Sequence, residues 1–284
     1  MQGYALEIAG SESPERTAKV LKLLWGETLA PLPLPAEDFF IWEPGNAALL
    51  KTFEQVQVPA YILGPSNAFH HYDYPFSAKY SAEHPVLFVD QHTDTQYSPG
   101  SIGCSSFSPE IAKKKRTVYV TAGLPREFPT GFPRVSEHHP ISEAGSFRPR
   151  RYNLNHEKLL LLFDGDCLYG EALTGWHTRR KERATSLNGA LSLVKSVRDE
   201  AEISGFSNWG FVSWDELTSG EKQVYLERFS QERIGKFKRR TPIVSAILAG
   251  ACLGKDLKDG FALLKEADGA EKYEDFDGFF SARN

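Results

Sequence analysis

The chain has 284 residues, of which 41% are hydrophobic and 25% charged, enough apolar sequence to bury a full globular core. Its net charge of −4 at pH 7 provides no general attraction to nucleic acid or acidic membranes, and neither is expected as a partner.

The N-terminal "MQGYALEIAG" lacks a basic region followed by a long apolar core, so no leader is expected there. A strand is predicted over 4–10, then a helix over 13–26, a strand over 38–45 and a helix over 46–56. The next units are a strand at 59–67 with a helix at 67–82, and strands at 85–94 and 116–123. Residues 124–157 carry prolines, glycines and charges without a period, and read as a long loop or insertion. A strand at 158–168, a helix at 184–202, a strand at 209–217 and helices at 219–235 and 241–268 complete the pattern. The most apolar stretch, "TPIVSAILAGACLG" (241–254), is too short to span a bilayer and is expected as a buried helix.

Strand and helix in alternation predict a three-layer αβα fold with a mostly parallel central sheet, as a single domain over 1–284. Basic runs such as "AKKKR" (112–116) and "KFKRR" (236–240) read as solvated surface. Cys104, Cys167 and Cys252 are odd in number and form no Cys-x-x-Cys pair, which points away from disulfides and thiolate zinc and toward a reducing, cytoplasmic setting.

Two strand ends carry the chemistry. In "PVLFVDQHTDTQ" (85–96), Asp90, His92 and Asp94 are spaced by two, which on a strand places them on one face. "LLLLFDGDCLYGE" (159–171) ends its apolar run in Asp164 and Asp166 with the same spacing. Asp-Gly alone is common turn chemistry. Ligands gather beyond the carboxyl ends of parallel strands, however, and two such strands side by side would assemble four carboxylates and one imidazole. Oxygen-rich coordination with a single nitrogen suits manganese better than zinc, and bridging carboxylates hold pairs of divalent cations.

A strand ending in Asp-x-His-x-Asp, followed much later by one ending in Asp-x-Asp, resembles the ureohydrolase family of arginases, agmatinases and formiminoglutamases. The resemblance implies an arginase-like fold with two Mn(2+) ions per chain and Asp90, His92, Asp94, Asp164 and Asp166 as ligands, Asp164 bridging the two. The family's Gly-Gly-Asp-His motif falls on Gly64-Pro65-Ser66-Asn67, leaving an asparagine where a histidine is expected. His70 and His71, within one helical turn, are the candidates to fill that place. Tyr169-Gly170 replaces the family's Asp-Pro, and the loop "TQYSPGSIGCSSF" after Asp94 has no histidine for proton transfer. Ser101 and Ser105 in that loop are the candidate substrate contacts.

The chemistry implied is manganese-dependent hydrolysis of a linear C–N bond in a guanidino or formimino compound, small or peptidyl. Water bridging two manganese ions loses its proton near neutral pH and attacks the trigonal carbon, with Asp94 passing the proton on. A guanidinium also needs a carboxylate grip, for which Asp215 or Glu216 is the candidate, although the pair also reads as the start of a helix. His138, His139 and His177 are the remaining proton-shuttle candidates. Two alternatives stand beside this reading: a deacetylase-like metal-dependent amide hydrolase, and a non-catalytic or single-metal relative. The resemblance also implies a homo-oligomer.

Overall fold

The computed structural model describes residues 1–7, 11–33, 51, 53–65, 67–94, 102–103, 106–123, 135–168, 170–174 and 183–283. The predicted strand at 38–45 and most of the predicted helix at 46–56 lie outside them.

Eight strands form one sheet: β1 (Gln2–Glu7), β2 (Leu29–Pro33), β3 (Ala60–Leu63), β4 (Val86–Val89), β5 (Thr117–Thr121), β6 (Val135–Pro140), β7 (Lys158–Asp164) and β8 (Glu202–Trp209). Their order is β2-β1-β3-β8-β7-β4-β5-β6, and every pairing is parallel. The first six strands run outward in two directions, and the last two return to fill the middle. That reversal is where an open parallel sheet places its ligand site.

The described α-helices are α1 (Ser13–Trp25), α2 (Asp73–Ala78), α3 (Ser108–Ala112), α4 (Leu187–Glu200), α5 (Ser219–Arg228), α6 (Gln231–Leu253), α7 (Lys258–Gly269) and α8 (Phe276–Ser281). The apolar alternation along β7 sorts them into two layers. Leu159, Leu161 and Phe163 join Val20 of α1, Val194 of α4 and Ile247 of α6 in one core. Leu160 and Leu162 pack with Phe76 of α2 and Ile111 of α3 in the other. Burying both faces explains why β4 and β7 read as unbroken apolar runs. Each such side chain contributes roughly 1.5–3 kcal/mol of transfer free energy.

Several boundaries depart from the sequence reading. The expected loop at 124–157 contains β6, which pairs with β5 at the edge of the sheet. The last central strand lies at 202–209 rather than 209–217. The single helix expected over 241–268 is divided, because α6 ends at Leu253 on Gly254, which adopts φ 74° as the left-handed cap. Residues Thr241–Gly250 of α6 are buried as expected. Among the described residues, no helix is long and apolar enough to cross a membrane, and Cys167 and Cys252 are free thiols.

Candidate metal centre

Register brings the two acidic segments together. Val89 of β4 pairs with Phe163 of β7, so Asp90 and Asp164 stand level on adjacent strands. Asp164 pairs in turn with Trp209 at the end of β8. Asp90 has the parity of Phe88, and Asp164 that of Leu162, so both point toward the layer carrying the 3-10 turn Asn67–Tyr72.

The convergence of the remaining groups owes more to turns than to strand alternation. β4 ends at Val89, so His92 and Asp94 follow in irregular backbone. The His92 amide donates to Asp90 Oδ1 at 2.7 Å, folding the chain back, and Asp94 adopts φ 46°. Short acidic residues tolerate that left-handed conformation. Asp166 lies in a 3-10 turn whose cap is Asp164: Asp164 Oδ1 accepts from the Asp166 amide at 3.0 Å. Asp166 Oδ1 accepts from the Gln91 amide at 3.2 Å, tying the two segments together.

In this way one oxygen each of Asp90, Asp164 and Asp166 is held by a backbone N–H, and the other is left to face inward. The Oδ2 atoms of Asp90, Asp94, Asp164 and Asp166 are buried and accept no aligned hydrogen bond. They lie instead within ion-pair reach of two imidazoles. His70 Nδ1 is 2.7 Å from Asp164 Oδ2 and 3.7 Å from Asp90 Oδ2, and its Nε2 is 3.2 Å from Asp94 Oδ2. His92 Nδ1 is 3.0 Å from Asp166 Oδ2 and 3.7 Å from Asp90 Oδ1. Four buried carboxyl groups turned toward one another and toward two imidazoles crowd negative charge that a positive ion would relieve, so this donor set fits divalent cations.

Among the described residues, two groups are compact enough to hold an ion: His70, Asp90 and Asp164, and Asp90, His92 and Asp166. Asp90 belongs to both. Asp164 and Asp166 belong to one group each, and Asp94, whose Oδ2 lies 3.2 Å from the far nitrogen of His70, belongs to neither.

Electrostatics reports the crowding of negative charge. Burial and the neighbouring Asp90 push Asp164 up, and burial with Asp164 and Asp90 pushes Asp166 well above the usual carboxylate range. Burial also drives Asp94 well up. Burial works against a charged His92, but its contacts with Asp166 and Asp90 outweigh it and raise the ring to about 12. Asp90 is the exception: burial would raise it, yet His92 and His70 pull it down to about 2. The carboxylate common to both triads thus stays ionised.

Of the two candidate histidines, His70 faces the cluster, tilted against Phe107 at 4.8 Å, while His71 stacks on Tyr72 at 4.6 Å. His92 leaves half of its side chain exposed, so the centre opens to solvent on that side. The carboxylate-grip candidates are placed elsewhere. Glu216 Oε1 accepts from Ser11 Oγ and from the amides of Glu12 and Ser13, and Oε2 accepts from the Ser213 amide and from Ser13 Oγ. Those bonds commit Glu216 to capping α1, and Asp215 is exposed. His139 bonds Tyr152 Oη at 2.8 Å and the Glu143 carbonyl at 2.9 Å, and His138 lies 3.2 Å from the Thr121 carbonyl. Both are tied into the β6 edge. Ser101, Ser105, Tyr169 and His177 lie outside the described residues, as does the side chain of Asn67.

Residues that sequence reasoning missed stand just behind the cluster. A Cβ on Gly210, which has φ 80°, would sit 2.1 Å from Asp164 Oδ1. Trp209 Nε1 donates to the buried Asp73 Oδ1 at 2.8 Å.

No protein-family model and no curated protein matches the sequence. Solved structures do. Agmatine ureohydrolase of Thermoplasma volcanium superposes with a TM-score of 0.61 at 13% identity, covering 93% of this chain and 90% of that one. This is the arginase fold. Arginase from Bacillus subtilis matches with a TM-score of 0.57 at 12% identity, over 90% of this chain and all of its own (100%). Proclavaminate amidino hydrolase from Streptomyces clavuligerus gives 0.57 at 14% identity, over 94% and 92%. At such identities an arginase-like frame is what is shared, and the chemistry rests on the cluster itself.

Proposed function

We propose that the chain is a hydrolase of a linear C–N bond in a guanidino or formimino compound, dependent on two manganese ions. The observation that carries this reading is the pair of His/Asp triads sharing Asp90, with four buried Oδ2 atoms turned inward. His70, Asp90 and Asp164 would hold one ion, and Asp90, His92 and Asp166 the other. Such a pair supplies a water acidified to near neutrality and positive charge for the tetrahedral stage.

The chain's own groups then divide the work. Asp94, buried and pushed well up in pKa, sits outside both triads and can keep a proton. It would take the proton of the attacking water and deliver it to the departing amine as the C–N bond breaks, giving urea and an amine from a guanidinium. His70 Nε2, 3.2 Å from Asp94 Oδ2, orients that carboxylate. The solvent-facing side of His92 is the approach for substrate, small or peptidyl.

An amide substrate is the second reading. It is favoured by the capping bonds of Glu216, because a neutral amide requires no carboxylate grip while a guanidinium gains most from one. The deciding experiment loads the protein with manganese, measures metal per chain, and assays arginine, agmatine, guanidinobutyrate, formiminoglutamate, an arginine peptide and an acetyl-lysine peptide. Urea or formamide release supports the first reading, and acetate release alone the second. Absence of bound manganese would overturn both.

A further inference from the structure

His70 is carried by a short 3-10 turn, a segment whose poor hydrogen-bond geometry gives it little stiffness of its own. It nevertheless places one ring within reach of three carboxylates. Something outside the turn must fix it. Immediately after it comes Asp73, 1% exposed, whose Oδ1 accepts from Trp209 Nε1 at 2.8 Å. Trp209 ends β8 and pairs with Asp164, the carboxylate nearest His70.

The indole also grips the other end of the turn. A Cβ on Gly64, just past β3, would fall 1.8 Å from the Trp209 ring, so the ring lies flat over that position. The same ring stacks with Tyr72 at 6.4 Å. One side chain therefore contacts the chain before and after the His70 turn while its own backbone stands beside Asp164. A buried carboxylate and a buried indole N–H each need a partner, and here they partner one another.

We propose that Asp73 and Trp209 form a brace that positions His70 against Asp90 and Asp164. The proposal rests on the metal-dependent reading above for its consequence, and on the turn itself for its test. Trp209→Phe keeps an aromatic ring while removing the donor and part of the indole's bulk, Asp73→Leu removes the acceptor and leaves the indole whole, and Asp73→Asn keeps an acceptor without the charge.

The experiment combines manganese per chain with amide hydrogen exchange in manganese-loaded and chelator-treated protein. Trp209→Phe and Asp73→Leu should speed exchange across 67–78 while β4 and β7 keep their protection. They should also weaken one of the two ions by about 10–100-fold, the scale seen when a supporting partner of a ligand is lost. Asp73→Asn should match the parent protein in both measurements. Unchanged exchange over 67–78 in the first two variants overturns the brace. So does protection lost equally in β4 and β7, because the pair would then be holding the fold rather than the turn. If the parent protein binds no manganese, the hydrolase reading fails, and exchange over 67–78 alone still decides the brace.

Discussion

His70 and Asp164 meet across the carboxyl edge of the sheet, Nδ1 to Oδ2 at 2.7 Å, while the opposite nitrogen of the same ring points at Asp94. An imidazole has two distinct nitrogens, and the bond made by one decides what the other can do. Burial works against a charged His70, but Asp94, Asp164 and Asp90 outweigh it and raise the ring well above its ordinary value. A cation between Asp90 and Asp164 would take Nδ1 as its ligand and leave Nε2 to carry the proton toward Asp94.

His70→Ala should therefore lower bound manganese from two ions to about one per chain, since the triad of Asp90, His92 and Asp166 does not use it. His71→Ala, which removes a ring stacked on Tyr72, should leave metal content unchanged. Elemental analysis of purified, manganese-loaded variants reads both, and equal losses would make the choice between the histidines wrong.

The carboxylates should separate in the same measurement. Asp90→Asn should lose both ions, because it removes the one charge common to the two triads and kept ionised by its histidines. Asp94→Asn should keep both ions yet lose turnover by at least about 100-fold, the usual scale for a general base. Loss of metal in Asp94→Asn would return that residue to the ligand set.

The centre was legible because its residues cluster at two strand ends whose apolar runs announce buried parallel strands. Asp90, Asp164 and the sheet that aligns them follow from pattern alone. The spacing-of-two argument led to the right neighbourhood by an incomplete route, since His92 and Asp94 lie past the strand and are turned inward by a backbone bond to Asp90. Roles set by distant parts of the chain were not legible. Glu216 follows an apolar strand-like run and carries the right group, but α1, from the far end of the sequence, uses its oxygens. Asp73 and Trp209 gave no signal, because a hydrogen bond between residues that far apart leaves no local pattern.

Asp73 gives stability a pH dependence of defined sign. Burial raises its pKa to about 7, against the pull of its hydrogen bonds and of His70, while an unfolded aspartate titrates near about 3.9. The folded protein thus binds this proton more tightly. The group's contribution is complete below about pH 4 and is lost as pH rises through about 7. A neutral amide at this position carries no such loss, so Asp73→Asn should gain on the parent by on the order of 2–3 kcal/mol between pH 5 and pH 8. Urea unfolding midpoints of both proteins in chelator, taken at the two pH values, provide the comparison; a gap that does not widen would mean that Asp73 is ionised at pH 5.

Gly210 should be the most sensitive position that is not itself a donor. Its φ of 80° already disfavours a side chain, and a Cβ there would lie 2.1 Å from Asp164 Oδ1. Backbone strain alone costs a substituted residue about 1–2 kcal/mol. Asp164 would also have to turn, giving up the Asp166 amide on Oδ1 and moving Oδ2 away from His70. Gly170 separates these two effects: it has φ 67°, but the nearest atom to a Cβ there is the guanidinium end of the long Arg233 side chain, at 3.2 Å. Gly170→Ala should accordingly lose about 1–2 kcal/mol in urea unfolding and keep both ions. Gly210→Ala should lose more than that and hold at most one ion, with the His92 triad retained. Matching metal content in the two variants would show that Asp164 can be displaced without consequence, and would remove it from the ligand set.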